Sequence, residues 1–140
     1  MDDYYAMKQS HKGCMVCGLS EFNSDSLQLA FNCDSENRVT TRFLVTEQHQ
    51  GYTGLLHGGM TSTLLDAAMT HCLFSHGIQA LTAELVVRFI APIPLGAELV
   101  VSAELTGKRR GIYQLEGMIT HGQRLLARAT SKFIQPKEKM

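Results

Sequence analysis

Asp66 is the only Asp, Glu, Lys or Arg between Glu47 and Glu84, and it stands among Leu64, Leu65, Ala67, Ala68 and Met69. An unpaired carboxylate is costly to bury, so such a group either finds hydrogen-bond partners or is put to use. One reading is a satisfied buried acid, with Ser62, Thr63 and Thr70 three or four residues away on the same helix. The other is a catalytic carboxylate lining a cleft. The motif "HGG" just upstream, His57, Gly58 and Gly59, favours the second. It precedes an apolar helix, whose N-terminal N–H groups attract developing negative charge. Two glycines let a substrate oxygen approach that backbone, as an oxyanion hole requires, although a tight loop-to-helix turn or a capping histidine would use the same residues.

The spacing carries a further consequence. Nine positions from His57 to Asp66 amount to roughly 13 Å along a helix and about half a turn around it. One helix cannot aim both its first amides and Asp66 at one small group. A catalytic reading therefore requires two copies of the chain, with the site at a homodimer interface.

The elements that must hold these residues are read as follows. Residues 1–10 form a short helix or arm and 11–26 a loop. "LQLAFNC" alternates, with Leu27, Leu29, Phe31 and Cys33 on one face of a strand, and "RVTTRFLVT" is a second strand. The turn "DSEN" joins them. The helix runs from about Gly58 to about Ser75 and stops at Gly77. Four strands follow, "ALTAELVVRFIAPI", "AELVVSAELTGK", "GIYQLEGMITH" and "RLLARATSKFI", joined by "PIPLG", "KRRG" and "HGQ". Such short links make these strands antiparallel hairpin neighbours. The order β-β-α-β-β-β-β has one helix that is apolar on nearly every side, so the sheet must curl around it. The class is α+β. An N-terminal arm with a Cys-x-x-Cys loop, 1–26, precedes the folded domain, 27–140.

Composition excludes several roles. The chain has 140 residues, enough for one domain with a core, and 13 basic residues balance 13 acidic ones. That balance gives no general attraction to nucleic acid or an anionic membrane. No apolar stretch is long enough to span a bilayer. The opening "MDDYYAMKQSHKG" has neither a basic nor an apolar signal region, and with unpaired cysteines this points to the cytoplasm. His11, Cys14 and Cys17 in "HKGCMVCG" have spacings a zinc site can use, with Cys33 as a fourth ligand only by folding back. A closed site needs four ligands and no second pair follows, so ordinary reduced cysteines are the expectation, and a thioredoxin-like role lacks its βαβ setting.

The pattern "GYTGLLHGGMTSTLLDAAM" followed by "LTAELVVRFIAPIPLGAELVV" resembles the hotdog-fold acyl-coenzyme A thioesterases of the phenylacetate-pathway type. The resemblance runs from about Leu27 to the last strand, and the leader "CMVCGLSEFNSDSLQLAF" is similar to the opening of some members. It implies a hotdog fold, a curled antiparallel sheet of five to six strands around one long helix. Dimers would join their sheets edge to edge and pair into tetramers. Asp66 matches the catalytic acid, acting as general base or nucleophile. Gly58 matches the glycine whose N–H polarises the thioester carbonyl, with His57 and Gly59 shaping the turn. Thr82 matches a Ser or Thr that positions water or the acid. Gly51 stands where some relatives carry Asn, and the adjacent Gln50 is not assigned that role.

The implied reaction hydrolyses an acyl- or aryl-coenzyme A thioester without metal or bound cofactor. For the coenzyme's phosphates the basic candidates are Arg88 and Lys108, Arg109 and Arg110 on a hairpin tip, against a plain solvated turn. Arg124 and Arg128 read as strand-surface residues. Met60, Met69, Met118, Leu64, Leu73 and Phe74 read as core before they read as acyl pocket. His71 reads as a satisfied polar residue. The alternative function is a non-catalytic acyl-coenzyme A binder. The His and acid arrangement of a hydratase is not found, and a pure scaffold would leave Asp66 unexplained.

Overall fold

The computed structural model describes residues 2–137, so the end of the domain drawn to residue 140 lies outside the described residues. Its elements are α1 (Asp2–Gln9), β1 (Asn32–Cys33), β2 (Val39–Leu44), a 3₁₀ turn at Glu47–His49, α2 (Gly58–Ser75), β3 (Leu81–Phe89), β4 (Glu98–Arg109), β5 (Ile112–His121) and β6 (Arg124–Ile134). The six strands form one sheet in the order β1-β2-β4-β5-β6-β3, antiparallel throughout. The sheet curls around α2, which lies against β2, β3, β4, β5 and β6.

Strand chemistry explains the curl's inner face. In β5, Tyr113, Leu115, Gly117 and Ile119 point inward and are buried, while Gln114, Glu116 and Met118 face out. Gly117 sits where a side chain would press on Leu65, Met69 and the Ser102 carbonyl at 3.2–3.3 Å, so its bareness lets α2 settle onto the sheet. Leu64, Leu65, Met69 and Leu73 of α2 are buried against Val39, Leu99, Val101, Leu115, Ile119 and Phe133. At its end the helix closes on Gly77, φ 73°, whose N–H bonds the Phe74 carbonyl while the Ile78 N–H bonds that of Leu73.

Three expectations are corrected. The first strand shrinks to Asn32–Cys33, because the Leu27 and Leu29 amides bond the Met15 and Val16 carbonyls of the cysteine loop, and Gln28 has φ 55°. Leu29 and Phe31 are nonetheless buried as their alternation required. Second, β3 and β4 are not hairpin neighbours; β3 pairs with β6 at the far edge. Pro92 and Pro94 supply no N–H for a ladder, and the link instead lies beside the loop before α2, through Leu56 N–H to the Ile93 carbonyl (2.8 Å) and Leu95 N–H to that of Gly54 (3.1 Å). Third, α2 is not covered all round: Ser62, Thr63, Asp66 and Thr70, spaced three and four apart, form a half-buried polar stripe.

The other two links are the tight hairpins expected. Arg110 and Gly111, φ 53° and 78°, turn β4 into β5, and Gly122, φ 61°, helps turn β5 into β6.

Candidate active site

The helix start arranges its own amides. His57 is the N-cap residue of α2, and its Nδ1 accepts the Gly59 N–H at 2.8 Å. A Cβ at Gly59 would lie 2.9 Å from the imidazole, so only glycine lets the ring fold back. Gly51 packs against the other side of the same ring, where a Cβ would meet His57 at 3.1 Å. Gln50 serves the loop, accepting the Gly54 N–H at 3.1 Å through Oε1. The result is selective: the Gly59 amide is consumed by the cap, while the exposed Gly58 amide has no partner among the described residues.

Beside Gly58 lies a feature the sequence reading missed. A cavity of about 320 Å³ is lined by Leu56, Gly58, Thr61, Phe89, Ile93 and Leu126. It is apolar apart from the Thr61 hydroxyl and the backbone, and large enough for part of an acyl chain or pantetheine arm. Phe89 and Leu126 look like ordinary strand residues in the sequence, and only the crossing of the 90–97 link over the helix start makes them a wall. A larger concavity of about 630 Å³, near β2 and the 27–32 segment, contains none of the expected site residues.

Asp66 sits eight residues into the helix from Gly58, half-buried on the polar stripe. Its Oδ1 accepts the Thr82 hydroxyl at 2.6 Å. Two of the three intrahelical partners considered for a satisfied acid turn elsewhere: Thr70 donates to the Asp66 backbone carbonyl (2.9 Å) and Thr63 to that of Gly59 (2.8 Å). Thr82 reaches the carboxylate because of a β-bulge. Thr82 pairs with Phe133 and Glu84 with Lys132, so Ala83 is the extra residue and Thr82 shares the inner face with buried Phe133.

The basic candidates do not gather around Gly58. Arg88 is next to Phe89 but points to the outer face, directly opposite Arg128 in a groove of about 350 Å³. Lys108, Arg109 and Arg110 lie at the β4–β5 turn, with the Lys108 ammonium 5.5 Å from the centre of the Tyr113 ring. That turn borders Ile112, Ile134 and Leu81, the end of the sheet that carries Thr82 rather than the end at Phe89. Leu64, Met69, Leu73 and Phe74 are core, Met60 is half-buried, and Met118 is exposed on the outer face.

His71 is half-satisfied. Its Nδ1 pairs with the Tyr4 hydroxyl at 2.9 Å, its ring stacks on Phe31 at 4.3 Å, and Nε2 is buried without a partner among the described residues. Burial, assisted by the charges of His11 and Lys8, pulls its pKa down from 6.5 to about 3, so the ring is neutral and only weakly basic in neutral solution. At the N-terminal loop, His11, Cys14 and Cys17 come together, their ligand atoms all within 4.8 Å of one another, and Cys33 does not join them. All four cysteines are free.

Residues 53–128, just over half of the chain, match the family model described as the thioesterase superfamily. Rat acyl-coenzyme A thioesterase THEM4 is 37% identical over 71 residues, covering 51% of this chain and 30% of that protein. Mouse acyl-coenzyme A thioesterase 13 is 33% identical over 63 residues, covering 44% of this chain and 45% of that one. The chain thus spans less than half the length of either relative. Among solved structures, the Escherichia coli PaaI protein from the phenylacetic acid degradation operon superposes with a TM-score of 0.78 at 18% identity, over 96% of this chain and 95% of its own. Protein smu.793 of Streptococcus mutans, solved bound to acetyl CoA, gives 0.72 at 19% identity, over 80% and 91%. The sheet rolled around α2 is the hotdog fold these structures share, and with its own residues 53–128 matching the family from before the glycine turn into β6, the chain belongs to the thioesterase superfamily.

Proposed function

We propose that this protein hydrolyses acyl- or aryl-coenzyme A thioesters at a site built from two copies of the chain. The observation that carries the reading is the pair of half-sites on α2: a Gly58 amide with no partner among the described residues at its start and, about 12 Å along it, Asp66 held by Thr82. Neither is complete alone. The names of the relatives and the acetyl CoA in the streptococcal structure support the substrate class.

The edge strand supports the assembly. β3 ends the sheet, and its Leu81, Val86 and Phe89, with Ile90 just beyond it, are exposed. Two β3 strands joined antiparallel across a two-fold axis bring the Thr82 end of one beside the Phe89 end of the other. Gly58 and Phe89 line the same cavity, with a Cβ on Gly58 falling 3.6 Å from the ring, so the Gly58 amide of one copy would then face Asp66 of its partner. Such dimers can pair again into tetramers.

In the reaction the thioester oxygen accepts the Gly58 N–H, which with the helix dipole stabilises the oxyanion. Asp66 of the other copy takes a proton from water as the new C–O bond forms, or attacks to make an anhydride that water then opens. The C–S bond breaks and coenzyme A leaves as the thiol. The Gly58 cavity receives the acyl end or the pantetheine arm. Lys108, Arg109, Arg110 and Arg88 are the candidate phosphate contacts. This chemistry requires neither metal nor bound cofactor. Four free cysteines suit a reducing compartment, and no described helix is long and apolar enough to cross a membrane, so the cytoplasm is the proposed location.

The test is release of free thiol from short, long and aromatic acyl-coenzyme A substrates by wild type and Asp66→Asn. The wild type should hydrolyse at least one class, and the folded variant should lose about 10²-fold or more in kcat. A wild type that binds the thioesters yet leaves them intact would favour the binder. A variant as active as the wild type would remove Asp66 from the mechanism.

A further inference from the structure

We propose that His11, Cys14 and Cys17 bind a zinc ion that fixes the N-terminal loop against the end of α2 and the 27–29 segment. The three ligand atoms lie within 4.8 Å of one another. The Cys17 Sγ to His11 Nδ1 distance is 3.5 Å. A tetrahedral ion with Zn–S of about 2.3 Å and Zn–N of about 2.0–2.1 Å demands an S···N edge of roughly 3.6 Å. The fold already holds that edge.

The backbone supports the sulfurs in the same turn. The Val16 N–H donates to Cys14 Sγ at 3.3 Å, and the Gly18 N–H to the Cys14 carbonyl at 2.9 Å. A Cβ at Gly18 would fall 2.5 Å from both the nitrogen and the carbonyl oxygen of Cys14, so the residue after the second cysteine must be glycine for this turn to close. An amide aimed at a sulfur stabilises the thiolate that a metal needs. All three ligands are half-buried, sheltered yet open to an entering ion.

Two thiolates and an imidazole select zinc over magnesium or calcium. As the two S–metal bonds form, each thiol gives its proton to the buffer, and His11 binds through its Nδ1 lone pair. No fourth His, Cys, Asp or Glu among the described residues shares the cluster, so water completes the tetrahedron. The ion would lock the turn whose Met15 and Val16 carbonyls receive the Leu27 and Leu29 amides, and hold His11 5.0 Å from the centre of the Phe74 ring.

The full chain, reduced and stripped with chelator, is titrated with Co²⁺ and then Zn²⁺. We expect one ion per chain, a thiolate-to-cobalt charge-transfer band with tetrahedral visible bands, and bleaching by Zn²⁺. Zn²⁺ should also raise the melting temperature of the wild type. Cys14→Ser and Cys17→Ser should lose the charge-transfer band, and Cys33→Ser should keep it, with circular dichroism checking that each variant is folded. A reduced wild type that takes up no thiolate-bound cobalt overturns the assignment without reference to any variant. So does loss of the band in folded Cys33→Ser.

Discussion

At the residue scale, the Gly58 amide is the group whose role can be isolated most cleanly. It is the first helical residue after the His57 cap, and its N–H has no partner among the described residues. Proline is well tolerated at that first position, and His57, at φ −62° and ψ 133°, already has the extended geometry that a following proline prefers. A Cβ there meets only the Phe89 ring at 3.6–3.7 Å, an ordinary contact. Gly58→Pro therefore deletes one N–H and leaves the helix standing. It should keep the melting temperature within a few degrees while kcat falls about 10²–10³-fold, the usual cost of an oxyanion donor. Full activity in the variant would mean that the carbonyl is polarised elsewhere. Asp66 and the glycine pair were legible in the sequence because a lone charge and two adjacent glycines are visible without coordinates. Thr82 was reached only through the family resemblance, since a bulge at Ala83 turns it inward and no residue type there announces a bulge. That His57 consumes the Gly59 amide and spares that of Gly58 depends on a ring orientation no spacing encodes.

At the scale of elements, α2 and the hairpins β4–β5 and β5–β6 were legible, because each follows from local pattern and turn chemistry. The β3 partner was not. Strand pairing across the sheet depends on where the Pro92–Pro94 link goes, and that link is fixed by contacts with a loop some forty residues earlier in the chain. The coverage of α1 over α2 was also hidden, and it has a thermodynamic signature. His71 meets Tyr4 of α1, Phe31 and Phe74, and its folded pKa of about 3 lies far below its ordinary 6.5. Between those values the unfolded chain takes a proton that the folded chain refuses. Stability is therefore full above about pH 6.5 and falls as the pH drops toward 3, by up to about 1.4 kcal/mol per pH unit. Urea midpoints should show the wild type losing about 2 kcal/mol between pH 7 and pH 5 through this group. His71→Phe fills the stack without the proton and should flatten that slope, even if the unpaired Tyr4 hydroxyl lowers its stability overall. Equal slopes in the two proteins would show that the ring is protonated in the fold.

For the whole molecule, the two half-sites on one helix are the strongest reason to think in pairs. Within a chain, Gly58 lies beside Phe89 at one end of β3 and Asp66 bonds Thr82 at the other, so in the proposed dimer antiparallel pairing of two β3 edges would form two composite sites related by a two-fold axis. The β4–β5 turn, with Lys108, Arg109 and Arg110, travels with the Asp66 end, so each site would draw its acid and these cations from one chain and its amide and apolar cavity from the other. This division can be read by complementation. Asp66→Asn and Gly58→Pro are each expected to be inactive as homodimers. Refolded together in equal amounts, half of the dimers should be mixed, and each mixed dimer pairs the intact Gly58 of one chain with the intact Asp66 of the other at one of its two sites. Activity should return to about a quarter of the wild-type value. If both groups served from the same chain, the mixture would stay as inactive as its components. Sedimentation of the wild type should give a dimer or a pair of dimers, and Val86→Arg, which sets a charge on the exposed β3 edge of each chain, should drive it toward monomer with loss of turnover. A fully active monomer would remove the need for the second copy and, with it, the composite site.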